Sequence, residues 1–263
     1  MASLLPTHPL LLHHPTGSAL AAVPSGCFRQ PSSFNPALSS IHRTKAGFSS
    51  SQHELASPAD FEFEAPLKVL KYPDQKLRKK NKRIATFDDS TKKLVHEMFD
   101  VMYKTDGIGL SAPQVGVNVQ LMVFNPVGER GEGEEIVLIN PKVRKYSMNR
   151  TLYNEGCLSF PGINADVKRP ESVKIDARDV NGMRFSISLS GLPARIFQHE
   201  FDHLEGILFF ERMTDEVLDS IRAQLQALEM KYEEMTGFPS PEKIESRRRR
   251  KVATGFGKSK PLR

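Results

Sequence analysis

The 263-residue chain has only two cysteines, Cys27 and Cys157, too few for a disulfide framework. No apolar run approaches the ~20 residues that cross a bilayer, so no spanning helix and no membrane partner are expected. No internal repeat is found, which argues against a solenoid. Acidic residues are missing from the whole of the first 53 positions; the first is Glu54. That stretch opens "MASLLPTHPLLLHH" and holds ten serines with three basic residues. A Ser-rich, acid-free leader reads as an organelle transit peptide, expected over residues 1–55 without a packed fold. A secretory signal fits less well, because Pro and His interrupt the apolar run and no charged segment precedes it. Alanine and serine with few arginines favour the chloroplast stroma as destination, with the mitochondrion second.

What is present is a core with basic ends. The net charge is +6, yet residues 1–53 carry +3, residues 237–263 carry +7, and residues 54–236 carry −4. The basicity therefore gives no argument for a nucleic-acid-binding core. From about residue 66 the chain reads as folded. Leu94, Met98 and Met102 recur at helical spacing behind an N-cap at Asp89 or Ser90, with Gly107 past the end. "VNVQLMVFNP" and "EEIVLINPKVRKYS" read as strands closed by Asn-Pro. "SVKIDARDVNGMRFSISLS" is a hairpin turning at Asn181-Gly182. Ser190 can cap a helix from about Gly191 to Glu205, with Gly206 as its stop. A last helix, about Asp215 to Met235, carries a stripe from Leu218 through Ile221, Leu225 and Leu228, and packing on the domain's own sheet is expected. Beyond Gly237, prolines and charge runs predict a basic disordered tail over 237–263.

"QHEFDHLEG" puts His199 and His203 on one stripe of the second helix, with Glu200 directly after the first histidine. Two imidazoles one turn apart can grip one ion while a glutamate reaches its open side. A third ligand is needed. Classes that place a third histidine six residues after the second are excluded, because Phe209 stands there. Glu229 lies at a plausible distance but on the flank of the last helix, where a solvated charge is expected. Cys157 in "NEGCLSFPG" follows a strand, precedes a Pro-Gly turn and has no amphipathic pattern to bury it. Two His and one Cys would leave a tetrahedral ion one open position.

"GIGLSAPQVG" is a Gly-rich turn that lacks the lysine of a phosphate loop. Together with EGCLSFPG and QHEFDHLEG, in this order and at these spacings, it resembles the three signature segments of the peptide deformylase family over roughly residues 66–236. The resemblance implies an α+β fold, with short antiparallel sheets wrapped around the metal-bearing helix and a C-terminal helix. It implies hydrolysis of the formyl group from the N-formylmethionyl end of nascent organellar polypeptides, by a monomer or homodimer. Cys157, His199 and His203 would then hold one Fe²⁺, with Zn²⁺ the alternative, and the ion would bring the pKa of water towards about 7. Glu200 would be general base and then acid. Gln114 and the backbone N–H of Leu158 would stabilise the oxyanion. Gly109 would let an extended substrate lie alongside, and Ile108, Leu192 and Ile196 would line the methionine slot. Ser111 stands where many relatives have Ala. The tail's cations could hold the protein to an organellar ribosome. Two rivals are a purely structural metal site, which would want a fourth protein ligand, and a peptidase.

Overall fold

The computed structural model describes residues 54–245. The expected leader, apart from its last two residues, and positions 246–263 of the expected tail lie outside the described residues. Seven strands and three helices follow one another: α1 (Asp89–Lys104), β1 (Gly109–Ser111), β2 (Leu121–Phe124), β3 (Ile136–Tyr146), β4 (Arg150–Cys157), β5 (Phe160–Pro170), β6 (Ser172–Arg178), β7 (Arg184–Ser190), α2 (Gly191–Leu204) and α3 (Asp215–Thr236). Every strand pair is antiparallel. Five strands form one sheet in the order β1-β2-β3-β6-β7, and β4 pairs with β5 in a second. This is the expected α+β arrangement. Ten of the fourteen residues of α2 are buried, among β1, β2, β5, β6 and β7. None of the described helices is long and apolar enough to cross a membrane.

Local chemistry accounts for most element ends. The N-cap of α1 is Asp88, one residue before the expected position; its carboxylate accepts from the N–H groups of Ser90 and Thr91. Asn140-Pro141 does not close β3. The strand runs through it with a shift in its pairing to β6 between Ile139 and Lys142. Asn140 adopts φ 51°, accepts from the Ile84 N–H at 2.8 Å and donates to the Ile84 carbonyl at 2.7 Å. A proline, having no N–H, is accommodated at such an irregularity. The β6–β7 hairpin pairs Val173 with Leu189, Ile175 with Ile187 and Ala177 with Phe185. Its turn is longer than the Asn-Gly pair: the Asp179 carboxylate accepts from Asn181 and Met183 N–H, each at 2.9 Å. Ser190 precedes α2 but its side chain makes no capping bond. Gly206 ends that helix region at φ 71°, and a Cβ there would come within 2.4 Å of the Arg78 carbonyl oxygen.

The last helix packs on its own domain, with Ile221 and Leu225 buried and Met235 exposed. Glu229 does not sit on a solvated flank. It is 6% exposed, and one of its oxygens accepts from the Tyr72 hydroxyl at 2.6 Å and the Ile244 N–H at 2.8 Å. The chain beyond Gly237 folds back far enough to bury Ile244, while Glu242 pairs with Arg78 and Lys243 with Glu233 at 3.0 Å. At the other end Phe61 and Phe63 pack against the α1 cluster. Packed structure thus extends past 66 and 236 on both sides.

Burial holds the Glu229 carboxyl above the usual carboxylate range, opposed by its two hydrogen bonds. A raised folded-state value means that its stabilising contribution is complete at low pH and lost as pH climbs through that value. Glu229→Gln keeps the accepting oxygen and removes the buried charge, so its melting temperature at alkaline pH should equal or exceed the parent's. Glu229→Leu strands two buried donors and should melt at least about 4 °C lower, at roughly 1–3 kcal/mol per lost partner. A Gln variant melting below the parent at high pH would show that the charge itself stabilises.

Candidate metal centre and active site

The site is assembled from two pieces of chain. Cys157 ends β4, and α2 presents His199 and His203 with ring centroids 5.3 Å apart. Cys157 Sγ lies 3.3 Å from His203 Nε2, and one donor atom from each of the three residues lies within 4.8 Å of the others. A tetrahedral ion with bonds of about 2.3 Å to sulfur and about 2.0 Å to nitrogen would separate S and N by about 3.5 Å. The donor set therefore fits one ion at its present spacing. His199 Nδ1 sits 3.1 Å from Glu155 Oε2, which leaves Nε2 for the ion. Thiolate with two imidazoles suits ferrous iron or zinc.

Behind the ligands lies a buried charge cluster. Arg169 grips Glu155 with two bonds, Nε to Oε1 at 2.8 Å and Nη2 to Oε2 at 3.0 Å. Arg195 adds Nη1 to Oε1 at 2.9 Å. Arg169 Nη1 also reaches Asp202 Oδ2 at 2.6 Å, and Arg212 closes on the same carboxylate from outside. Burial would raise the Glu155 carboxyl, but His199 and Arg169 overcome it and hold the group at about 2. Its contribution to stability is accordingly intact above the usual carboxylate range and lost as pH falls towards 2.

Glu200 meets a different environment. It is 4% exposed, its Oε2 has no hydrogen-bond partner among the described residues, and burial raises it to about 7 against the opposing pull of His199. Gly109 packs directly on it: a Cβ at 109 would stand 2.6 Å from Ile196 Cγ2 and 2.9 Å from Glu200 Oε1. The glycine is thus required by the fit of α2 on β1. The Gln114 amide is oriented by Ser111, whose N–H and hydroxyl donate to Oε1 at 2.9 and 2.8 Å. This turns Nε2 towards Cys157 Sγ at 3.7 Å and Ser159 Oγ at 3.3 Å. Leu158 is pinned by Lys71 Nζ, which donates to its carbonyl at 2.8 Å.

These groups border one cavity of about 350 Å³. Ile108, Gly109, Leu192 and Ile196 line it together with Cys157, Leu158, His199 and Glu200. Gln114 and His203 stand behind, in contact with the Cys157 sulfur. All ten residues singled out in the sequence are brought together. The sequence assigns no role to Glu155, Arg169, Arg195, Asp202 or Lys71, and marks Ser111 only as a departure from the usual Ala. Two of these left a signal. Glu155 lies two positions before Cys157 on a strand, and Arg195 four before His199 on a helix, spacings that share a face with a ligand. Arg169 and Lys71 left none.

Glu155→Ala should weaken metal binding about 10- to 100-fold, the usual effect of removing the partner that orients a ligating histidine. It should also lower the melting temperature, because two buried arginines lose their carboxylate. Competition with a chelator measures the first and thermal unfolding the second. Unchanged metal affinity would remove Glu155 from that role.

Comparison with known proteins follows the same motifs. The model of the family described as polypeptide deformylase matches residues 66–218. The chain is 66% identical over 224 residues to "Peptide deformylase 1B, chloroplastic/mitochondrial" of Arabidopsis thaliana, covering 85% of this chain and 82% of that one. It is 56% identical over 254 residues to "Peptide deformylase 1B, chloroplastic" of Oryza sativa subsp. japonica, covering 95% and 92%. Among solved structures, a plant peptide deformylase crystal structure superposes with a TM-score of 0.69 at 73% identity, over 69% of this chain and 99% of that one. A Plasmodium falciparum peptide deformylase gives 0.63 at 43% identity, over 64% and 99%.

Proposed function

The chain belongs to the polypeptide deformylase family, and on that footing we propose that Cys157, His199 and His203 hold the catalytic ion, that Glu200 carries the proton, and that Gln114 and Leu158 stabilise the developing negative charge. The protein is a metal-dependent hydrolase that removes the formyl group from the N-terminal formylmethionine of newly synthesised organellar proteins, releasing formate. The observation that carries the assignment of roles is the buried, unpartnered Glu200 Oε2 beside three converging donor atoms.

The ion, when bound, supplies positive charge that polarises the formyl carbonyl and makes water more acidic. We assign it as Fe²⁺, with Zn²⁺ the alternative the same donors accept. Glu200 accepts a proton from the attacking water at Oε2 and returns it to the departing amine. Gln114, held by Ser111, donates from Nε2 to the oxygen that gains charge, and the Leu158 N–H adds a second donor. Ile108, Leu192 and Ile196 receive the methionine side chain. Gly109 lies on β1, an edge strand of its sheet, and the peptide adds in extended form to the unpaired side.

The finer placement is the chloroplast stroma, reached through a leader at residues 1–55 ahead of a catalytic domain at 66–236 whose packing also takes in flanking residues such as Phe61 and Ile244. The tail at 237–263 carries cations suited to an organellar ribosome, and the active unit is a monomer or homodimer. Residues 1–60 fused to a fluorescent protein should enter chloroplasts and be cleaved; uncleaved cytosolic fluorescence would contradict the leader.

Glu200→Gln should keep its metal and melting temperature while turnover of formyl-Met-Ala-Ser, followed as formate release, falls by roughly three orders of magnitude. Retention of more than about a tenth of the activity would take the proton role from Glu200.

A further inference from the structure

The core's net charge conceals a face on which cations outnumber acids. Along β6, Val173, Ile175 and Ala177 are buried in the cluster shared with α2, so Lys174, Asp176 and Arg178 project from the opposite side of the sheet. On that side an open groove of about 420 Å³ is lined by Arg83, Lys142, Arg178 and Arg184, with Asp176 as its one acid. Strand register sets Arg178 directly opposite Arg184 and Lys145 directly opposite Lys174, while Lys142 faces Asp176. Like charges facing each other across an antiparallel pair destabilise the sheet. Among the described residues none of these six cations has a carboxylate within ion-pair reach, although surface pairs such as Lys80–Glu205 and Arg222–Asp219 occur elsewhere. Asp176 cannot serve them all; it is engaged by Arg144 and by the Ser186 hydroxyl at 2.7 Å. Arg178 is held in place, 5.6 Å over the Phe87 ring, with Nη1 donating to the Gly182 carbonyl at 2.6 Å.

We propose that this face docks on the phosphate backbone of RNA. A repulsive, unneutralised array is costly in the free protein and becomes favourable against a polyanion, where each neutralised phosphate also releases counterions. The exposed Ser188 lies beside the cations on β7 and offers a hydroxyl donor to phosphate oxygens. The outward positions of β6 and β7 are Lys, Asp, Arg and Ser, with no large apolar side chain to enter a bilayer, which favours RNA over a lipid surface. A hydrolase whose substrates are newly synthesised chains works where RNA is concentrated. The groove shares no lining residue with the catalytic cavity, so the proposal stands or falls independently of the roles given to the residues there.

The test uses the full metal-loaded chain and a labelled RNA duplex of about 16 base pairs, with anisotropy read over a range of salt. Lys142→Gln/Arg184→Gln should weaken binding about tenfold and reduce the logarithmic salt slope by about 2. Lys104→Gln/Lys231→Gln removes the same charge from α1 and α3 and should stay within about twofold of the parent. Arg184→Gln alone should weaken RNA binding while leaving the melting temperature unchanged or raised, because it removes the charge facing Arg178. A loss of affinity caused only by misfolding would lower both together and would overturn the proposal. So would equal losses in the two double variants, which would move the contact elsewhere. Face-dependent binding to phosphatidylserine vesicles with RNA binding unchanged would make this a lipid surface instead.

Discussion

The placement of the proposed metal ligands depends on one buried ionic contact, the grip of Arg169 and Arg195 on Glu155. The proposed metal ligands arrive on separate structures, Cys157 on the β4–β5 hairpin and the histidines on α2, which packs on β5 as well as on the five-stranded sheet. Apolar contact alone would allow the hairpin to slide by a residue, since buried area is tolerant of small shifts. Charges removed from water are not tolerant: an unpaired one costs several kcal/mol, so the arrangement in which all are paired is strongly preferred. Glu155 lies on β4, Arg169 on β5 and Arg195 on α2, and one carboxylate joins all three elements. The same carboxylate orients His199, so the contact that sets the hairpin's position also sets a ligand's ring.

A second constraint fixes the open side of the site. The helix α2 approaches β1 so closely at Gly109 that a methyl group would collide with both Ile196 and Glu200. That approach brings the Glu200 carboxyl beside the edge strand, whose Gly109 lines the cavity. The proposed proton carrier and the proposed substrate edge thereby meet at one short strand, Gly109–Ser111. The last residue of that strand, Ser111, in turn holds the Gln114 amide in its working orientation.

How much of this could be read from the sequence follows the range of the interactions involved. The two histidines and Glu200 are legible because helical spacing alone puts them on neighbouring stripes. The β6–β7 hairpin is legible because its alternation is local. Asn140-Pro141 misleads for a related reason: the pair usually ends a strand, and here distant backbone groups at Ile84 and Gln120 hold Asn140 by its side chain and its N–H. Glu229 falls on the flank of a heptad stripe and reads as solvated. It is buried because Tyr72 and Ile244, far away in sequence, supply donors. The basic sheet face is hidden for the same reason, since a sum of charges along the chain has no register in it. Pairing of Arg178 with Arg184 exists only once the hairpin is formed.

Glu155 and Glu200 show how the fold turns the same side chain to opposite uses. Both are nearly inaccessible, and burial alone would favour the neutral form of each. Glu155 is surrounded by two guanidiniums and an imidazole, which hold its carboxyl at about 2, so it is a fixed charge under any physiological condition. Glu200 has no arginine on its oxygens and is left at about 7, where a proton can be taken up or released at little cost. A fixed charge is what an orienting group needs, and a poised one is what a proton carrier needs. Exchanging the two environments would leave every residue of the motif in place and remove its chemistry. The arginines that surround Glu155, of which Arg195 also lines the cavity, therefore belong to the proposed catalytic design as much as the ligands do.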